Sequence, residues 1–474
     1  MDLGENFKKG ILYTALGKYS NVVIQLIVTA VLSRILTPKE YGIVAVVNVF
    51  LVFFQILADS GIGPAIIQNK ELNQSDLNSI FTLTIYSGLV LSVIFCILGY
   101  PMSLAYGDFI YIRLYLLLGI CVFFYTITIV PQAILTKEMR FKQVNLLTLV
   151  ANIVSGLVGI LLALGNFGVY SLIFSNIVKA LVLFLVLYWK VKLQPSRKID
   201  RGSIKKIFEF SKFQFLFNFW NYFARNLDNL LIGRFINSSA LGYYDKAYQL
   251  SLYPNQILSQ IITPVIHPIM SNFEKNQKKM GEIYLQVSSL LIILGMPISA
   301  YLYFNAKDII IFMFGDSWSE SIPVFRILAV TIWLQMANSP TGAFYQATNR
   351  TNTLFKVGML TSTINIAAII IGIMMKDINA IAMMLLFSFT LSLGINTYYL
   401  TQKILNINIK FYMRSIFVSA IIIGPYILLN IFVLNINFST LPNLVIQASV
   451  LILTWGLGLF ISKEYKQLLL ILRS

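Results

Sequence analysis

Apolar runs of about twenty residues or more follow one another along almost the whole chain, separated by short polar breaks. They fall at 10–36, 41–66, 78–104, 111–135, 143–165, 168–190, 207–235, 240–268, 282–304, 321–347, 354–375, 378–402, 411–434 and 443–461. A helix needs about 20 apolar residues to cross a hydrocarbon layer about 30 Å thick, and each run meets that length. The pattern predicts an all-α polytopic membrane protein with about 14 transmembrane helices. Little chain remains for a soluble domain. The first run is read as a helix that stays rather than a cleaved leader.

The polar breaks differ in charge. If the N-terminus is cytoplasmic, the breaks on that side and the two ends hold roughly 24 Lys and Arg, against about 6 on the other side. Such a bias places both termini in the cytoplasm. The chain is 57% hydrophobic and 12% charged, with a mean hydropathy of +0.77. Its net charge of +17 is thus mainly a topological signal, with some attraction to anionic membrane lipids. Nucleic acid is not an expected partner. Two cysteines, both in apolar runs, and one histidine leave no disulfide framework and no Cys/His metal site, so no metal or cofactor is expected.

The longest polar interval, "WKVKLQPSRKIDRGSIKK" at 189–206, separates two similar halves. "SRILTPKEYGIV" at 33–44 and "GRFINSSALGYY" at 233–244 share Arg34 with Arg234 and Gly42 with Gly242, and each stretch sits between the first and second runs of its half. Asn152 and Gly159 are echoed by Asn365 and Gly372. Six spans per half is an even number, so the halves insert in the same orientation, as parallel repeats about a pseudo-two-fold along the membrane normal. The expected organisation is an N-lobe at 1–190, a basic cytoplasmic linker at 191–206, a C-lobe at 207–402, and two further spans with a cytoplasmic tail at 403–474. Gly42 and Gly242 are expected to serve as hinge or turn residues at the outer rim.

A few ionisable residues interrupt the runs: Lys18, Asp59, Lys179, Arg225, Asp228, Asp245, Lys246 and Arg326. Arg225 falls near the middle of its span, where an Arg costs about 2.5–3.5 kcal/mol on insertion scales and is a functional candidate. The plain alternative is that Arg225 and Asp228, at i and i+3, neutralise each other. Lys18 is near enough to the interface to snorkel, and Asp245 and Lys246 adjoin an outer loop, where a rim role and a buried one are equally open. His267, between Pro264 and Pro268, reads as a helix-terminus residue, and "FNFWNYF" at 217–223 as packing. Cations outnumber carboxylates in the set, so a cavity lined by Arg225, Lys18, Lys246, Lys179 and Arg326 would attract an anion such as a lipid-linked diphosphate. Asp228, Asp59 and Asp245 are the candidate charge partners or ion-coupling groups. No phosphate-binding loop, Walker lysine or long external loop is present, which argues against an enzyme.

The runs "FKKGILYTALGKYSNVVIQLIVTAVLSRILTPKEYGIVAVV", "DSGIGPAIIQNKELNQSDLNSIF", "VPQAILTKEMRFKQVN", "GNFGVYSLI" and "NLDNLLIGRFINSSALGYYDKAYQL" resemble, in order, the WzxC-type polysaccharide transporters of the multidrug/oligosaccharidyl-lipid/polysaccharide flippase superfamily. The resemblance implies two six-helix lobes plus two peripheral helices, and a flippase that moves undecaprenyl-diphosphate-linked oligosaccharide across the bacterial cytoplasmic membrane by alternating access. It also implies a polysaccharide polymerase and glycosyltransferases as partners in the pathway. Family positions of interest fall on Asp59, Gly61, Arg225, Asn226, Asp228, Asn229, Gly242, Tyr243 and Tyr244. Tyr13 and Tyr170 stand where the family commonly has Trp. H⁺ or Na⁺ exchange, or the membrane potential, would supply the energy. The rival readings are a drug or metabolite antiporter of the related MATE branch, which calls for an acidic cavity, and a membrane-embedded polymerase or ligase, which calls for a large external loop.

Overall fold

The computed structural model describes residues 3–59, 61–69, 71–196, 222–271, 276–432 and 440–465, with side chains described for all of these except 3–16, 18 and 259–271. Among the described residues the chain is helical and holds no strand. The helices are α1 (Leu3–Ile35), α2 (Pro38–Asp59), α3 (Ile62–Gln68), α4 (Gln74–Tyr106), α5 (Ile110–Lys137), α6 (Phe141–Leu164), α7 (Val169–Val191), α8 (222–235), α9 (Ser238–Ser271), α10 (Gln277–Phe304), α11 (Ala306–Phe314), α12 (Ser321–Asn338), α13 (Thr341–Ala347), α14 (Thr351–Met374), α15 (Ile378–Tyr398, extended by a π-helical turn to Ile404), α16 (Ile409–Phe432) and α17 (Thr440–Ser462).

Among the described residues, eleven helical stretches are long and apolar enough to cross a membrane, so this is a multi-pass membrane protein. They coincide with eleven of the predicted spans. The other three, at 10–36, 207–235 and 240–268, each include residues outside the full description. Packing divides the chain into two compact units, Met1–Gly242 and Tyr243–Ser474. The basic linker lies largely outside the described residues, and α8 packs with the first unit.

Local chemistry starts these helices where the polar breaks fall. Thr37 and Glu40 form a reciprocal cap at the start of α2: the Thr37 N–H donates to Glu40 Oε2 at 2.7 Å, and the Glu40 N–H to Thr37 Oγ1 at 3.4 Å. Asn73 and Asp76 do the same for α4, and Asn237 caps α9 by accepting from the Ala240 N–H at 2.7 Å. Each such cap contributes about 1 kcal/mol. The break between α2 and α3 is made by Gly61 at φ +86°, a conformation that a side chain would strain.

In the first unit α4 pairs with α5, α6 with α7, α1 with α6, and α5 with α7. Its core gathers Ile66, Ile80, Phe81, Val130 and Leu193. The breaks after α3, α5 and α7 share one end of the unit: Lys137 Nζ donates to the Asn69 carbonyl at 2.7 Å, and the Gln194 N–H to Asn78 Oδ1 at 3.1 Å. The charge bias of the sequence is thereby a bias between the ends of a bundle. On α4, Tyr86, Leu89, Val93, Ile97, Tyr100 and Leu104 form an exposed apolar stripe at helical spacing, the signature of a lipid-facing surface.

In the second unit α10 pairs with α12, α14 with α15, and α12 with α15, while α16 and α17 pack on α10 and on each other. One core cluster gathers Met280, Tyr284, Phe344, Tyr345, Leu400 and Tyr412. α17 buries only Gln447 and Leu459.

Candidate functional site

Gly42 and Gly242 lie not between helices, as the sequence suggested, but one turn into α2 and α9. There the two helix starts cross with almost no space between them. A Cβ at Gly42 would lie 1.7 Å from the Ser238 carbonyl oxygen, and one at Gly242 would lie 1.9 Å from that of Pro38. Each glycine thus accommodates the other helix's N-terminal carbonyl, and a side chain at either position would force the backbones apart.

α8 is held in the first unit by its aromatic residues and by one buried stripe. Ala224, Asp228 and Ile232, spaced by four, are buried. The Tyr222 hydroxyl donates to the Val49 carbonyl of α2 at 2.6 Å, the Tyr106 hydroxyl of α4 to the Leu230 carbonyl at 3.0 Å, and Phe223 packs on Phe53 with ring centroids 4.9 Å apart. Arg225 projects from another face and is exposed. The structure does not pair it with Asp228, whose Oδ1 accepts from the Asn229 N–H at 2.9 Å. The i, i+3 spacing is right for a pair, but the carboxylate is on the buried stripe and the guanidinium is off it.

Lys179 sits half-buried in the middle of α7 and forms no hydrogen bond or ion pair among the described residues. One turn before it begins a polar seam that sequence reasoning missed. Ser175 donates to the Ser155 carbonyl of α6 at 2.8 Å, and Asn152 Nδ2 donates to Asn21 Oδ1 of α1 at 2.7 Å. The Asn152 and Gly159 pattern was its one visible trace. Lys18, on α1, lies outside the residues whose side chains are described, as does His267.

In the second unit Asp245 and Lys246 are buried rather than at a rim, at 7% and 6% exposure. Gln249, also missed, lies between them: its Nε2 donates to Asp245 Oδ2 at 2.8 Å, and its Oε1 accepts from Lys246 Nζ at 3.3 Å. Asp245, Lys246 and Gln249 therefore form a hydrogen-bonded polar cluster within little more than one turn of α9. Arg326 is exposed near the start of α12, its guanidinium 5.7 Å from the centre of the Tyr303 ring, a cation–π contact.

Asp59 ends α2 and accepts the Gly63 N–H at 3.1 Å. It lines a cavity of about 400 Å³ with Gln55 and with residues of α3 and α5. Among the described residues no group of three or more His, Cys, Asp or Glu is placed to hold a metal ion.

The sequence and the fold have counterparts elsewhere. The chain is 26% identical over 351 residues to the teichuronic acid biosynthesis protein TuaB of Bacillus subtilis, covering 73% of this chain and 72% of TuaB. It is 23% identical over 386 residues to the lipopolysaccharide biosynthesis protein WzxC of Escherichia coli, covering 78% and 76%. Among solved structures, the lipid II flippase MurJ in an inward closed conformation superposes with a TM-score of 0.77 at 15% identity, covering 97% of this chain and all of MurJ. That likeness shows that the two chains share a fold. Residues 31–323 match the family described as polysaccharide biosynthesis protein, and to that family this chain belongs.

Proposed function

We propose that this protein carries lipid-linked oligosaccharide, anchored through undecaprenyl diphosphate, across the bacterial cytoplasmic membrane by alternating access, for surface polysaccharide. The observation that supports this best is that the family match and the MurJ-like fold cover the same chain. The protein is a transporter and not an enzyme. Its termini face the cytoplasm, following the Lys/Arg bias, and a polymerase and glycosyltransferases work on the same glycan.

Arg225 is the first diphosphate ligand. It is a deep cation that is exposed, and a guanidinium grips phosphate oxygens in a fork. Lys179 and Lys18 add point charge, and Arg326 guides the anion at the interface. Lys246, held by Gln249 beside Asp245, keeps α9 electrostatically poised. The substrate's own charge supplies a driving force, because an anion leaving a negative cytoplasm gains about 2.3 kcal/mol per charge per 100 mV. Proton or Na⁺ exchange at a carboxylate such as Asp228 is the other source.

The test is flipping of a fluorescent undecaprenyl-diphosphate oligosaccharide in proteoliposomes. Arg225→Ala should lower the rate by about tenfold or more, in line with losing a charged hydrogen-bond donor, and Arg225→Lys should restore part of it. Wild-type rates in both variants would remove Arg225 from the mechanism.

A further inference from the structure

The cavity beside Asp59 has a lining unlike that of an anion site. α2 presents Gln55 and Asp59 one turn apart, α5 presents Tyr125, Ile129, Gln132 and Thr136 at spacings of four, three and four, and Pro64 and Ile67 of α3 close the side. The Gly63 N–H fixes one oxygen of the Asp59 carboxylate. Among the described residues the amides of Gln55 and Gln132 and the Tyr125 hydroxyl take part in no hydrogen bond, so they are available to a ligand. Thr136 donates to the Gln132 carbonyl at 2.8 Å and keeps its oxygen free to accept.

Size and charge narrow the ligand. At about 400 Å³ the space falls in the range of about 300–1,000 Å³ usual for small organic ligands. A bare cation would need several oxygens drawn in to about 2.3–2.6 Å, and this lining is too open for that. A diphosphate would meet a carboxylate and no cation. A polyhydroxylated neutral ring fits better, because amides and carboxylates satisfy neighbouring hydroxyls while Tyr125, Pro64 and Ile129 offer apolar surface to its C–H face.

We infer that the cavity enclosed by α2, α3 and α5 is a subsite for an uncharged sugar of the carried glycan, with Gln55, Asp59 and Gln132 as its hydrogen-bonding groups. This inference rests on the lipid-linked oligosaccharide reading and assigns the two ends of the substrate to different chemistry: phosphates to the cations, sugar to the neutral and acidic cavity.

Binding to the full-length protein in nanodiscs tests it with two kinds of probe, undecaprenyl diphosphate alone and the same lipid carrying glucose, galactose or N-acetylglucosamine. At least one sugar-bearing probe should bind wild type about tenfold more tightly than the bare lipid, the worth of one or two hydrogen bonds. In Ala133→Phe, which fills the cavity, and in Gln55→Ala, that advantage should fall to within about twofold while bare-lipid affinity holds. Far-UV circular dichroism and monodispersity would confirm that the variants are folded. A sugar advantage that survives in both variants, or no advantage for any sugar in wild type, overturns the subsite and leaves the flippase reading standing. Failure of wild type to bind any of the lipids overturns both. Displacement of the preferred probe from wild type by a quaternary ammonium ion, with no effect of added free sugar, would reassign the cavity to organic cations.

Discussion

The corner between α5 and α6 in the first unit and the corner between α13 and α14 in the second share a backbone and little else. In the first, Met139 is left-handed at φ +56°, the Arg140 N–H reaches back to the Leu135 carbonyl at 2.9 Å, and the Met139 N–H to Thr136 at 3.0 Å. In the second, Asn349 is left-handed at φ +55°, the Arg350 N–H reaches the Tyr345 carbonyl at 2.9 Å, and the Asn349 N–H reaches Gln346 at 2.9 Å. Both are Schellman closures, with the orphan carbonyls of the preceding helix satisfied in the same order. Left-handed residues also follow matched helices elsewhere: Asn166 after α6 and Lys376 after α14, Lys192 after α7 and Asn406 after α15.

The packing beneath these corners differs. In the first unit α5 runs unbroken past Pro131, and the cluster around its end is mainly aliphatic, with Phe81 stacked on Tyr188 at 5.8 Å. In the second the helix breaks at Ser339 and Pro340, and the core holds Tyr284 stacked on Tyr412 at 6.1 Å, with Tyr345 in the same cluster. The repeat is therefore kept in turn geometry, which any residue tolerant of the dihedrals can satisfy. Side-chain chemistry has been free to diverge.

The comparison can be broken most severely at the paired glycines. Gly42→Ala and Gly242→Ala should each cost above about 4 kcal/mol, because the new Cβ meets backbone carbonyl rather than a mobile side chain. Monodisperse yield on fluorescence-detected chromatography should collapse alike for both, and normal yield for one alone would show that the crossing is not reciprocal. Next come the matched asparagines. Asn152→Leu loses an amide–amide bond of 2.7 Å to Asn21, whereas Asn365→Leu loses one bond of 3.2 Å received from Ser388. Thermal unfolding should show a loss of about 1.5 kcal/mol for the first and about 0.5 for the second. The smallest effect lies in the corners themselves. Met139→Gly should gain about 0.5 kcal/mol by relieving a left-handed side chain, and Asn349→Gly should gain almost nothing, since Asn tolerates that region. A gain of equal size at both positions would mean that the two turns are strained alike.

The fold was legible because its signals are long. Apolar runs gave eleven spans that the structure contains, and the two glycines singled out by their shared offset, Gly42 and Gly242, meet at a helix crossing. The direction in which each side chain faces was not legible. In a membrane, the stripe of Tyr86, Val93 and Ile97 that faces outward is as apolar as buried Phe95 beside it, so hydrophobic periodicity cannot tell lipid from core. That is why Asp228 could be placed on a helix but not on its buried stripe, and why Arg326 could not be assigned to the ring of Tyr303. Gln249, Asn21 and Ser175 were missed because uncharged polar residues in apolar runs carry too little contrast to stand out.

The crossing of α2 and α9 bears on the protein's ancestry. If the halves arose by duplication, residues 42 and 242 descend from one codon, and each copy presses on the main chain beside the other. Neither could drift to a larger residue while its sister stayed behind, so half the genetic freedom that duplication normally confers was never available at that spot.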